Sequence, residues 1–251
     1  MTPRVDIHVV SCRKDLEWCR YAIRSIRKFA SGFGGVTLVV PESDAARFAG
    51  MADTLVTFRQ KIWRGFLHHM IMVQRADEAC PHADFVAHMD SDCVFVEPVT
   101  PDDYVRRGKA VMMRERYERI RAAYTGPYQS GARRLQWKPI TERVLGFPVE
   151  YETMVRHPSV HPRWLYAEVR TYIERAHGVP FDKYVFRSGL GHYCEFPVLG
   201  AYALRYHADQ YEWIDARSPH ENFDMQKASG VREKMRQFHS RQGVKKYRDE
   251  L

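Results

Sequence analysis

Apolar positions in the first 115 residues recur at two alternating periods. VDIHVVS (5–11) is a short apolar run between polar residues and predicts a β-strand. DLEWCRYAIRSIRKFA (15–30) carries apolar residues at 16, 19, 22, 23, 26 and 29, the 3.6-residue spacing of an amphipathic helix. Gly32, Gly34 and Gly35 end it, and VTLVVP (36–41) predicts a second, buried strand. ESDAARFAG opens another helix, TLVTF (54–58) a third strand, IWRGFLHHMIMVQRADEAC (62–80) a strong helix, and DFVAHMD (84–90) the next strand. KAVMMRER (109–116) predicts one more strand. Beyond about residue 117 the alternation weakens, although WLYAEVRTYIERAHG (164–178), closed by Gly178, and EFPVLGAYAL (195–204) predict helices. Strand–helix alternation implies an α/β fold with a doubly wound, mostly parallel sheet. Ligands bind such sheets beyond the carboxyl ends of the strands. With no repeat, low-complexity tract or linker, one domain with an elaborated second half is expected.

One of these strands is interrupted. FVAHMDSDCVFVEP (85–98) is apolar except at Asp90-Ser91-Asp92, and the apolar run resumes at Cys93. On an extended chain, residues two apart share a face, so the two carboxylates would point the same way and repel. A divalent cation relieves that repulsion, because hard cations prefer carboxylate oxygens. The bland alternative is a solvated strand-to-loop turn; the apolar flanks and the position after several strand–helix units argue against it.

Composition narrows the class. With 45% hydrophobic and 13% aromatic residues in 251, the chain is not disordered. No run approaches the ~18 apolar residues of a membrane span. The N-terminal run ends in charge and reads as a strand, not a leader, so the terminal Arg-Asp-Glu-Leu reads as chance. Five scattered cysteines without a CxxC pair read as reduced thiols of a cytoplasmic protein (host cytoplasm if viral) with no zinc site. Between Arg106 and Arg143, eleven Lys/Arg face three Glu, an excess equal to the net charge of +8 of the whole chain. Arg114, Arg116, Arg119, Arg121, Arg133, Arg134 and Lys138 interleave there with Tyr117, Tyr124, Tyr128 and Trp137. That composition suits a polyanion groove or, as readily, a basic solvated helix.

The layout resembles the GT-A fold nucleotide-sugar glycosyltransferases, within them a poorly characterised set of bacterial and viral enzymes. SCRKDLEWCRYAIRSIRKF, VTLVVPESD, HMDSDCVFVEP and CEFPVLGAYA carry the resemblance, which covers most of the chain apart from about 115–160. It implies a single GT-A domain, with residues 1–115 as the nucleotide-binding half and 116–251 as the acceptor-binding and catalytic half. It implies Mn²⁺ or Mg²⁺ on Asp92, with Asp90 shared between the ribose and the metal's water, holding the diphosphate of a nucleoside-diphosphate sugar, a UDP-sugar by preference. Ser11 and Arg13 would sit beside the base and ribose, Asp44 would accept from the nucleoside, and Arg59 and Lys61 would reach the phosphates. His239, ahead of His220, is the expected further metal ligand. Glu195 becomes the general base of an inverting hexosyl transfer, although the acidic dipeptide usual in inverting members is absent, since Phe196 and Pro197 follow. The acceptor is a hydroxyl, in a modified base of DNA or an anionic glycan. His68 and His69 are expected to face different directions as ordinary helix residues, and His157 and His161 to shape the acceptor pocket from a proline-stiffened loop.

Two other classes compete. Asp90-x-Asp92-x-Val94 matches the nucleophile motif of haloacid-dehalogenase-like phosphatases, which place it on their first strand and need a later acidic pair that does not appear. A nucleic-acid-binding module without transferase activity would use the basic segment but leaves Asp90 and Asp92 unexplained.

Overall fold

A computed structural model describes residues 2–60, 65–123, 130–154, 158–216 and 234–237. Its central sheet is built from β1 (Val5–Val10), β2 (Gly35–Pro41), β3 (Thr54–Phe58), β4 (Phe85–His88) and β9 (Ser159–Pro162), in the order β3-β2-β1-β4-β9. The first four are parallel, with Val9 opposite Leu38 and Ile7 opposite Ala87. The fifth runs antiparallel to β4, pairing Val86 with His161 and His88 with Ser159. Strands β1 and β4 are buried along their whole length, Asp6 and His8 of β1 included, as strands covered on both faces are.

Helix α1 (Leu16–Phe29) buries Trp18, Cys19, Ala22, Ile23 and Ile26, nearly the face its spacing predicted. The helix expected to begin in ESDAARFAG is short: a 3-10 turn (Glu42–Asp44) leads into the four-residue α2 (Ala45–Phe48). The helix expected at 62–80 is two: α3 (Gly65–Gln74) and α4 (Ala76–Ala79). Among the described residues no helix is long and apolar enough to cross a membrane.

The second half adds β5 (Cys93–Phe95), β6 (Val105–Arg106), β7 (Lys109–Arg116), α5 (Tyr117–Ala123), α6 (Ser130–Leu145), β8 (Tyr151–Glu152), α7 (Arg163–His177), α8 (Phe181–Ser188), α9 (Glu195–Tyr206), β10 (Tyr211–Asp215) and β11 (Met235–Gln237). Strand β7 occupies the predicted 109–116 and is the centre of a second sheet, β10-β7-β6, with β8 also on β7. Gly178 closes α7 at φ 65°, the left-handed conformation that favours glycine there. One apolar cluster runs from Val5 of β1 to Tyr211 of β10 and packs both halves together.

Two features fix the Asp90–Asp92 segment. Strand β5 is clamped on one side by antiparallel β11, which sets Gln237 opposite Cys93. On the other side the buried Ser25 hydroxyl of α1 accepts from the Phe95 amide at 3.0 Å.

Candidate active site

Residues 89–92 join β4 to β5. The Met89 amide still donates to the His8 carbonyl at 3.0 Å, and the Cys93 amide donates back to the Asp90 carbonyl at 3.0 Å, closing a reverse turn. The two carboxylates therefore converge through this turn, not through strand alternation. Ligand atoms of Asp90, Asp92 and Cys93 lie within 4.8 Å of one another. The Cys93 thiol points its Sγ at Asp92 Oδ1, 3.8 Å away, and burial pushes its pKa well above the ordinary value, with both aspartates adding to the rise. A thiol kept protonated is a poor ligand, so the carboxylates are the better candidate donors on this side.

A second donor group meets at Asp90: His69, His88 and Asp90 also offer ligand atoms within 4.8 Å. His68 and His69 do face different directions. His68 is buried between Phe58 and Phe186, with ring centroids at 5.8 and 4.9 Å. His69 instead reaches the cleft, so it is not an ordinary helix residue. Burial lowers the pKa of His69, and more strongly that of His8, leaving neutral imidazoles at pH 7. His8 Nδ1 and His88 Nδ1 are 2.8 Å apart, so one ring donates and the other accepts. His88 Nε2, buried and without a hydrogen bond among the described residues, lies 3.4 Å from Asp90 Oδ1. When His88 donates through Nδ1, the lone pair of Nε2 faces Asp90 and is free to ligate.

The cleft is an open volume of about 880 Å³ at the carboxyl ends of β1 to β4, where an α/β sheet binds its ligand. Asp90, Ser91 and Asp92 line it, and so do Ser11, Arg13, Asp44, Gln60, Phe66 and His69. The Asp44 carboxylate is already used in part: the Arg13 amide donates to its Oδ2 at 2.8 Å, tying the loop after β1 to the loop after β2. Arg59 is exposed and does not line the cleft. Lys61, His157, His220 and His239 lie outside the described residues. Phe66, whose role the sequence did not show, is 57% exposed at the cleft with its ring parallel to His69.

Glu195 opens α9 and is only 4% exposed. Burial, with Asp90 adding to the effect against the pull of a backbone hydrogen bond, raises its pKa to about 8. Its Oε2 has no hydrogen bond among the described residues. Glu195 does not line the cleft, but a carboxyl held neutral near physiological pH within reach of a carboxylate's charge is a marker of acid–base chemistry.

His161 corrects an expectation. It sits in β9, fully buried, bonded to Ser159 Oγ at 3.1 Å and to the Tyr211 hydroxyl at 2.9 Å, and so serves the core instead of an acceptor loop. The basic segment also looks different in three dimensions. Arg134 pairs with the buried Glu115 at 2.9 Å, Arg114 with Asp215 at 2.7 Å and Arg106 with Glu212 at 3.0 Å. Lys138 pairs with Glu142, and Arg119 donates to the Ala216 carbonyl at 2.8 Å. Tyr117 is buried and donates to Glu152 at 3.0 Å, so it cannot stack on a base.

Compared with models of known protein families and with curated protein sequences, the chain matches none of them.

Proposed function

We propose that the protein is a metal-dependent glycosyltransferase of the GT-A type, moving a hexosyl group from a nucleoside-diphosphate sugar to an acceptor hydroxyl. The observation that carries this reading is the Asp90–Asp92 turn lining one cleft together with the Ser11–Arg13 and Asp44 loops; the buried Glu195 does not line that cleft but lies behind it, close enough to feel the charge of Asp90. The strand order β3-β2-β1-β4 with an antiparallel β9 beyond it agrees with such a fold. So does the placement of the acidic turn after the fourth strand, which a haloacid-dehalogenase-like phosphatase would not share.

Asp90 and Asp92 would hold Mn²⁺ or Mg²⁺, with His69 offering nitrogen from the other side. Bound there, the cation would neutralise charge developing on the departing diphosphate as a Lewis acid. The exposed face of Phe66 suits stacking on the nucleobase, and Ser11 and Asp44 suit the ribose. His239, which lies outside the described residues, is the C-terminal residue to test as a further ligand.

Glu195, as carboxylate, takes the proton of the acceptor hydroxyl. That oxygen attacks the anomeric carbon from the face opposite the diphosphate, whose oxygen leaves with the bonding electron pair. A base with a pKa near the working pH serves this step best, and burial at the start of α9 supplies the tuning. Incubating the protein with UDP-hexoses, Mn²⁺ and a hydroxyl acceptor should release UDP. Release that persists unchanged in Asp92→Ala would contradict the assignment.

A further inference from the structure

The cations of the 106–143 segment named above are largely committed to acids or carbonyls within the fold. A second group of cations, in the turn before α1 and on its first half, is clustered and uncommitted. Arg13, Lys14, Arg20 and Arg24 are all exposed, and no ion pair engages their side chains among the described residues. Their neighbours on the same helix differ: Arg27 donates to the carbonyls of Gly50 and Met51, and Lys28 lies over the Phe29 ring.

The four cations, with Tyr21 and Glu17, line a second concavity of about 400 Å³. Arg13 and Lys14 line this groove and the candidate active cleft alike, so the two are continuous. Arg24 is held over the Tyr21 ring, 5.9 Å from its centroid, which restricts its rotamers before any ligand arrives. Arg20 and Arg24 are one helical turn apart, about 6 Å along the axis. The cations thus form a row leading away from the cleft instead of a nest around one point. Glu17 is the single acid in this row.

A row of cations fits a linear polyanion better than a lone phosphate. Three of the four are arginines, whose planar forks match phosphate oxygens two at a time. We propose that this groove binds a single-stranded phosphodiester chain, holding it along α1 with one end at the active cleft. Only the naming of that strand as the acceptor rests on the transferase reading; the binding does not.

The test is fluorescence anisotropy with a short labelled oligothymidylate, in chelator, across a salt series. Wild type should bind with an affinity that falls as salt rises. Arg20→Glu combined with Arg24→Glu should weaken binding by about tenfold or more and flatten the log–log salt slope by about 1.4, at about 0.7 for each phosphate no longer neutralised. Arg121→Glu, a reversal of one exposed charge on α5, should change little. Equal binding by the double variant, no binding by wild type, or tighter binding of a sulfated glycan of the same charge would each overturn the proposal. UDP titration with Mn²⁺ on the same proteins separates the two readings, because the double variant should keep that binding whether or not the groove holds a strand.

Discussion

Glu195 should make the protein less stable as pH rises, and replacing it should reverse that. The carboxyl is raised from its ordinary 4.5 to about 8 by burial. Between those values the folded state binds one more proton than the unfolded chain, so stability falls with rising pH. The contribution is fully present below pH 4.5 and is lost as pH climbs through 8. At about 1.4 kcal/mol per pH step, the loss is about 3 kcal/mol by pH 7 and at most about 5 kcal/mol above pH 8. Glu195→Gln keeps the shape and removes the charge, so at pH 7 it should raise stability by up to about 3 kcal/mol. For a chain of this size that is about 6–12 °C in Tm. Other buried groups also tie stability to pH. His8 and His69, lowered below 6.5, lose stability on acidification, while Glu152, raised by burial, adds a slope of the same sign as Glu195. The difference between wild type and variant isolates Glu195. Urea denaturation from pH 5 to 8 measures it: the difference should be under about 1 kcal/mol at pH 5 and grow towards pH 8. A difference that does not change with pH would refute the linkage. The same variant should lose transferase activity, so stability and function would part company at one residue.

Other expectations follow from packing and charge. Asp92→Asn should abolish metal-dependent nucleotide binding while leaving the melting temperature within a few degrees, as calorimetry and thermal melts would show. Arg134→Ala leaves the buried Glu115 without its 2.9 Å partner and should cost ~3–5 kcal/mol by urea denaturation. Gly200→Ala improves helix propensity, yet its Cβ would overlap the Thr153 side chain, so it should destabilise by ~1–3 kcal/mol and displace the helix that carries Glu195. Phe66→Ala should weaken UDP binding by ~1–3 kcal/mol, measurable by titration, if the nucleobase stacks on that ring.

The elements that were legible share a physical reason. Strands β1, β2 and β7 carry short apolar stretches that are buried where the local pattern puts them, and α1 shows its buried stripe directly. Two features were hidden because they depend on partners remote in sequence. Helix α3 is apolar nearly all round, so periodicity could not say that His69 faces the cleft while His68 packs between aromatic rings. The charge count in 106–143 was visible, but Arg114 is answered by Asp215 and Arg119 by the Ala216 carbonyl, about a hundred residues later. The acid pair itself was legible as a candidate ligand site from its apolar flanks, whereas the reverse turn that brings Asp90 and Asp92 together was not, because the motif reads equally well as extended chain. Likewise β9 carries no mark of the antiparallel pairing that seats His161 in the core.

The functional reading stands or falls on whether the acidic turn binds a metal-bridged nucleoside diphosphate. The sharpest test is calorimetric titration of UDP, with GDP in parallel, into wild type and Asp92→Ala with and without Mn²⁺. Wild type should bind only with the metal, and the variant should not bind at all. No binding of either nucleotide by wild type in Mn²⁺, or equal binding in chelator, would contradict the metal-bridged site.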